Sequence, residues 1–228
     1  EKQIEYASRA LVLAEEINEN TQIVVSLNLL SNAYRKLDKY EKGIEYATRL
    51  YSIHHTNKNE IEAAKALSEI GSCYYDWGKY VEAKEYYDRA LEIFNKNQNF
   101  DGIANTLRNI AKILSDWGEY DEALNYNQEA LKFWEEIGNE TGIANSYNNI
   151  GVIYQELGNY DRAFDYFHKS LEIFKKLNKT DDIVNLTLHI GDIYLQRAQY
   201  DKALEYYFNA DLIGKQINNK KLKSITLS

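Results

Sequence analysis

Apolar residues recur at helical spacing along the whole chain, and the spacing itself repeats. Between 141 and 180, Ile143, Ala144, Tyr147, Ile150, Gly151 and Tyr154 fall at i, i+1, i+4, i+7, i+8 and i+11. That is one face of a helix with 3.6 residues per turn, helix A. Leu157-Gly158-Asn159-Tyr160 follows, with a glycine suited to a helix C-terminus, and Asp161 is placed to cap a second helix. Ala163, Phe164, Phe167, Leu171 and Phe174 form the stripe of this helix B, which ends near Leu177-Asn178. Asp121 and Asp201 hold the same capping position, whereas Glu41 and Val81 do not.

The pattern returns every 40 residues. Tyr40, Tyr80, Tyr120, Tyr160 and Tyr200 mark the period, and Tyr6, Tyr46, Tyr86, Tyr126, Tyr166 and Tyr206 keep it without an insertion. The register divides the chain into a B helix at 1–20, repeats at 21–60, 61–100, 101–140, 141–180 and 181–220, and a truncated A helix at 221–228. A helix of roughly 18 residues is about 27 Å long and buries its stripe only against neighbours. The expected fold is therefore all-α, a single solenoid of antiparallel helix-turn-helix repeats over 1–228.

Composition narrows the function. Hydrophobic residues make up 44% of the chain and charged ones 27%, which excludes disorder, and the absence of proline fits uninterrupted helices. A net charge of −8 lacks the basic footprint of a nucleic-acid or anionic-membrane binder, and neither partner is expected. One cysteine and four histidines offer no internal disulfide and no zinc site. With no basic-then-apolar segment at its start and no apolar run of 18, a cytoplasmic location is expected, with a periplasmic or other compartment the alternative because a longer parent protein is expected.

Leu67-x-x-Ile70-Gly71-x-x-Tyr74, Tyr147-x-x-Ile150-Gly151-x-x-Tyr154 and Thr187-x-x-Ile190-Gly191-x-x-Tyr194 resemble the first-helix signature of the tetratricopeptide repeat family. Ala83/Tyr87, Ala163/Phe167 and Ala203/Tyr207 are similar to its second-helix pair. Glycine and alanine give the close approach where A crosses B. Ser31 and Ala111 replace the glycine, Leu114 a tyrosine and Asn127 an aromatic, and the family's closing proline is missing throughout. The long repeat is similar to those of kinesin light chain, of spindle-orientation scaffolds and of bacterial signalling proteins. The resemblance implies a right-handed superhelix with A helices along a concave surface that binds protein. The chain opens inside a B helix and stops within an A helix, so a longer parent protein is expected, and uncapped ends invite end-to-end stacking.

Residues of helix A outside the apolar stripe are the candidate binding surface. They include Asn28 and Asn32, Lys65 and Tyr75, Asn105, Arg108, Asn109 and Lys112, Asn145, Asn148 and Asn149, then Asn185 and His189. Asn105/Asn109, Asn145/Asn149 and Asn185/His189 are i, i+4 pairs, each on one strip of its helix. An amide carries an acceptor and two donors and matches a peptide unit. With A helices about 10 Å apart and an extended peptide advancing roughly 3.3 Å per residue, one asparagine per repeat meets about every third residue of a strand. Lys65, Arg108 and Lys112 favour an acidic side chain or a C-terminal carboxylate, with Tyr75 as an aromatic contact. The carboxylate clamp of chaperone-binding relatives needs Lys-x-x-x-Asn, and Asn28-x-x-x-Asn32 stands there instead.

No catalytic constellation, metal set or cofactor motif emerges. His54 and His55 point to different faces, His168 has no second ligand and reads as surface, and Cys73 shares its slot with Ala33, Ile113, Ile153 and Ile193 as a small core residue. Trp77 and Trp117 read as inter-helix packing. The expected function is a non-catalytic module that holds an extended peptide or partner segment. The alternative is a regulatory or sensory arm that controls its own effector domain.

Overall fold

A computed structural model describes the backbone of residues 2–226 and the side chains of residues 2 and 4–216. Among the described residues the chain is all helix: α1 (Lys2–Glu16), α2 (Asn20–Arg35), α3 (Tyr40–Thr56), α4 (Glu60–Asp76), α5 (Tyr80–Lys96), α6 (Phe100–Asp116), α7 (Tyr120–Glu136), α8 (Glu140–Glu156), α9 (Tyr160–Lys176), α10 (Thr180–Gln196) and α11 (Tyr200–Thr226). Even-numbered helices from α2 are the A helices and odd-numbered ones the B helices. Helices α1 to α5 pack consecutively, as do α7 to α11, giving the helical hairpins of an α-solenoid. The contacts group into two compact units, one through Ile113 and one from Leu114 onward, and the division falls inside α6.

The turns obey a tighter period than the side chains. Residues 18, 38, 58 and so on to 198 all have positive φ, between 52° and 80°. At each turn the same two backbone bonds form, as in Gly78 N donating to Tyr75 O at 2.9 Å and Lys79 N donating to Tyr74 O at 2.9 Å. This is a Schellman motif, which satisfies the last carbonyls of one helix while reversing the chain. Glycine occupies the left-handed position at 78, 118, 138 and 158, but Asn18, Asp38, Lys58, Gln98, Asn178 and Ala198 hold it elsewhere.

Where the residue after the turn is Asn99, Asn139 or Asn159 its side chain caps the next helix, whereas Lys39, Asn59, Lys79, Glu119 and Lys179 make no such bond. Asn159 Oδ1 accepts from Arg162 N at 3.3 Å, Asn139 Oδ1 from Gly142 N at 3.0 Å and Asn99 Oδ1 from Gly102 N at 2.7 Å. Asp161 is therefore not the cap. It lies in the first turn of α9, beside the positive end of the helix dipole, and pairs with Arg197 at 2.6 Å. Asp121 and Asp201 occupy the same first-turn place in α7 and α11.

In the unit through Ile113, Ala7, Leu11, Leu27, Leu30, Leu50 and Ala66 form one buried cluster. Gly71 meets Tyr87 of α5, and a Cβ on it would stand 2.9 Å from Cε1 of that ring. In the first repeat the small residue changes sides: Ser31 Oγ donates to Gly43 O at 2.9 Å, so glycine sits on helix B and serine on helix A. In the unit from Leu114, Ala144, Ala163, Phe167, Phe174, Leu186 and Ile190 share a core. Gly151 and Gly191 face Phe167 and Tyr207 as Gly71 faces Tyr87.

The tyrosine series resolves into ring stacks between helices A and B. Tyr34 and Tyr46 lie 5.5 Å apart, Tyr74 and Tyr86 5.4 Å, Tyr154 and Tyr166 5.6 Å, and Tyr194 and Tyr206 5.2 Å. Cations cover several of them, with Lys42 over Tyr34, Arg89 over Tyr86 and Arg162 over Tyr154. Trp77 joins this packing, stacked on Tyr40 and Tyr74. Trp117 follows the last turn of α6 and is 41% exposed.

The last helix also departs from the period. A turn is due at Asn218 and a new A helix at 221, yet α11 runs through to Thr226 as one helix. Residues 227–228 and the side chains of 217–226 lie outside those described.

Candidate functional site

Helix A presents a polar strip opposite its buried stripe, and successive A helices meet directly, α2 with α4 and α8 with α10. The strip is half-buried at most positions, because each residue flanks the A–A contact. Its groups divide into those already satisfied within the protein and those left open.

On α2 and α4 the strip is largely self-satisfied. Asn32 Nδ2 donates to Asn28 O at 3.1 Å and to Asn28 Oδ1 at 3.0 Å. Arg35 reaches across to Glu69 Oε1 at 3.2 Å and Asp76 Oδ2 at 2.5 Å. Burial pushes the Glu69 carboxyl above its ordinary value in spite of Arg35. Lys65 pairs with Glu62 on its own helix at 2.6 Å. The Cys73 thiol, buried beneath this network, is pushed up to about 12 by desolvation and by Glu69.

On α6 part of the strip is open. Arg108 is half-buried, and its Nη2 donates to Asn105 Oδ1 at 3.3 Å, with no carboxylate in ion-pair range among the described residues. Burial pulls the guanidinium below its ordinary value. Asn105 Nδ2 is committed to Asp101 O at 3.0 Å, whereas the Asn109 amide makes no hydrogen bond among the described residues. Lys112 Nζ stands 4.4 Å from the ring centroid of Tyr75, so the expected cation and aromatic do meet. Ser68 Oγ of α4, one repeat before Arg108 in the same register, is buried without a hydrogen-bond partner.

In the unit from Leu114, Asn149 Nδ2 donates to Asn127 Oδ1 at 3.5 Å, and Asn127 Nδ2 donates to Ala123 O at 3.0 Å. Asn127 is thus a buried amide that replaces an aromatic ring. Asn145 and Asn185 make no side-chain hydrogen bond among the described residues, and Asn148 Oδ1 and Gln155 Oε1 are buried without partners. His189 stacks on Phe167, centroids 5.2 Å apart, and burial lowers its pKa below the ordinary histidine value. Asp192 Oδ1 accepts from Tyr207 Oη at 2.7 Å.

Sequence reasoning placed these residues on one strip but missed which were spoken for. Arg35 and Glu69 are 34 residues apart with opposite charge on neighbouring A helices, a signal legible from the register. His168 is half-buried against Phe164 rather than on the surface, with ring centroids 4.3 Å apart. Among the described residues no cluster of His, Cys, Asp and Glu is arranged to hold a metal ion, and no helix is long and apolar enough to cross a membrane.

Hairpins stacked at a fixed register, with a small residue at each crossing and a polar strip on one side, define a helical-repeat protein. The tetratricopeptide repeat profile matches residues 24–53, 62–136 and 142–207, and the chain belongs to the tetratricopeptide repeat family. Comparison with curated proteins gives no match. Among solved structures, BtubC (BKLC) from P. vanneervenii is similar at 22% identity and a TM-score of 0.79, covering 95% of this chain and 91% of that one. A Rap protein complexed with Competence and Sporulation Factor is similar at 22% identity and a TM-score of 0.77; the match covers 87% of this chain and 56% of that protein. A kinesin light chain-like protein of Podosopora anserina, with nearly identical TPR-like repeats, is similar at 14% identity and a TM-score of 0.66, covering 86% and 96%. These likenesses describe the fold.

Proposed function

We propose that the chain is a non-catalytic binding module whose A-helix strip holds an extended peptide or partner segment, with Arg108 taking an acidic side chain or a C-terminal carboxylate. The family is one of protein-interaction and regulatory modules, and the strip supplies the chemistry. The observation that carries the reading is the half-buried guanidinium of Arg108, which hydrogen-bonds the neutral Asn105 and has no carboxylate in ion-pair range among the described residues, Asp101 acting on it only from farther away. A charge withdrawn from water without a direct ion-pair partner is costly, and a bound carboxylate would offset that cost. Lys112 on the next turn adds to the local positive field, and the Asn109 amide is open for a backbone unit. Asn145 and Asn185 offer the same on α8 and α10.

Three or four neutral hydrogen bonds, each worth about 0.5–1.5 kcal/mol, do not offset an association cost of about 4–15 kcal/mol, so the charged contact must contribute. The test is a display selection of random peptides against residues 1–228, with enriched peptides synthesised as free acid and as C-terminal amide. Enrichment of acidic or free-acid peptides, and a loss of affinity of about 10-fold or more in Arg108→Gln, supports the reading. Peptides that bind Arg108→Gln as well as the parent protein would remove Arg108 from it.

A further inference from the structure

The register exposes one exception in the core of the A helices. The buried position held by Leu27, Leu67 and Leu107 is Tyr147 in the fourth repeat and Thr187 in the fifth. Tyr147 is long enough to reach Tyr166, ring to ring, at 6.0 Å. Thr187 instead turns its Oγ1 back to Ile183 O at 2.7 Å and fills none of that space. A cavity of about 450 Å³ opens there between α9, α10 and α11. Ligand pockets typically span about 300–1,000 Å³.

The lining has two characters. Leu171, Ile183 and the Tyr194 ring supply apolar surface, while Lys175, Lys202 and His168 supply nitrogen donors. Lys202 Nζ lies 5.2 Å from the Tyr194 centroid, and Tyr194 stacks on Tyr206. Neither lysine is in ion-pair range of a carboxylate among the described residues, and Glu205 is the single carboxylate in the lining. His168 Nε2 is buried without a hydrogen-bond partner.

We infer that this cavity binds a small organic acid with an aromatic or branched apolar body. The body occupies the volume that Thr187 leaves empty, and the carboxylate sits at Lys175 and Lys202. Three helices wall the cavity, and the open amides of the binding strip are absent from its lining, so it suits a compact molecule better than an extended strand. The site shares no residue with the strip assigned to peptide.

The experiment is calorimetric titration of the full chain with naphthylacetate, using naphthylmethanol as the uncharged counterpart. One saturable site is expected for the acid, with the alcohol about 10-fold weaker. Thr187→Leu restores the residue that three sibling repeats carry and should abolish binding while the protein still melts cooperatively. Lys175→Gln with Lys202→Gln, both at exposed positions, should weaken the acid about 10-fold and leave the alcohol unchanged. Absence of a saturable site, undiminished binding in folded Thr187→Leu, or equal affinity in the double lysine variant would each overturn the assignment. Arg108→Gln should bind naphthylacetate normally, which separates this site from the peptide strip.

Discussion

Gly151 lies so close to the ring of Phe167 that a Cβ on it would stand 2.6 Å from Cε1 and 2.7 Å from Cδ1. Phe167 is fully buried and has no room to retreat. Gly151→Ala should destabilise the protein by about 1–3 kcal/mol, as expected for an overpacked core. Gly214 is the internal control: nothing lies within 4 Å of a Cβ built there, so Gly214→Ala should stabilise α11 by up to about 1 kcal/mol. Urea melts of the two variants check the pair, and equal effects would refute the close-approach account.

The left-handed turn residues give a second test. Ala198 holds φ 55° in a position that side chains disfavour. Ala198→Gly should stabilise by about 1 kcal/mol, and Gly158→Ala should destabilise by a similar amount. Thermal melting at fixed concentration reads both changes, and matching signs would show that the turn does not impose the conformation.

Acid should weaken the unit that contains His189. Burial favours the neutral imidazole in the folded state, so just below the ordinary pKa of about 6.5 the unfolded chain binds more protons than the folded one. Stability from this group is therefore present above that value and is lost as pH falls toward the lowered folded pKa, with the nearby Asp192 carboxylate reducing the effect. His189→Gln should flatten the change in unfolding free energy between about pH 7 and pH 5 relative to the parent protein. An identical slope in both would remove His189 as its source.

The open amides should matter to binding more than the satisfied ones. Asn109→Ala should weaken a selected peptide by about 3-fold or more, whereas Asn32→Ala, which breaks an internal pair with Asn28 in the same unit, should leave affinity within about 2-fold. Melting should change little for Asn109→Ala, since this amide bonds to nothing among the described residues. Calorimetric titration of one peptide across the variants separates the two sets.

Much of this fold was legible because its side chains repeat. The 40-residue register and the Gly71/Ala83 crossing appear as the sequence predicts, and of the stripe Ala144, Ile150 and Gly151 are buried, with Ile143, Tyr147 and Tyr154 half-buried and Ser146 and Ile153 buried beside them. The turns were hidden, because Lys58, Gln98 and Ala198 share a backbone conformation and no chemistry. The cap was misplaced for a related reason: Asp161 and Asn159 are both good capping types, and only the hydrogen bond to Arg162 N decides between them. On the binding strip, spacing fixed the face but not the partners. Asn105 and Asn109 look alike in sequence, yet one amide is spent on Asp101 and the other is free among the described residues.

Each reversal of direction is secured by main-chain bonds, such as Asn59 N to His54 O at 2.9 Å, and not by a required residue type. Mutation is thereby free to place a lysine, an aspartate or a glutamine at those corners without altering helix length or phase. Charge along the rim of the stack becomes an adjustable property, decoupled from the scaffold that carries it.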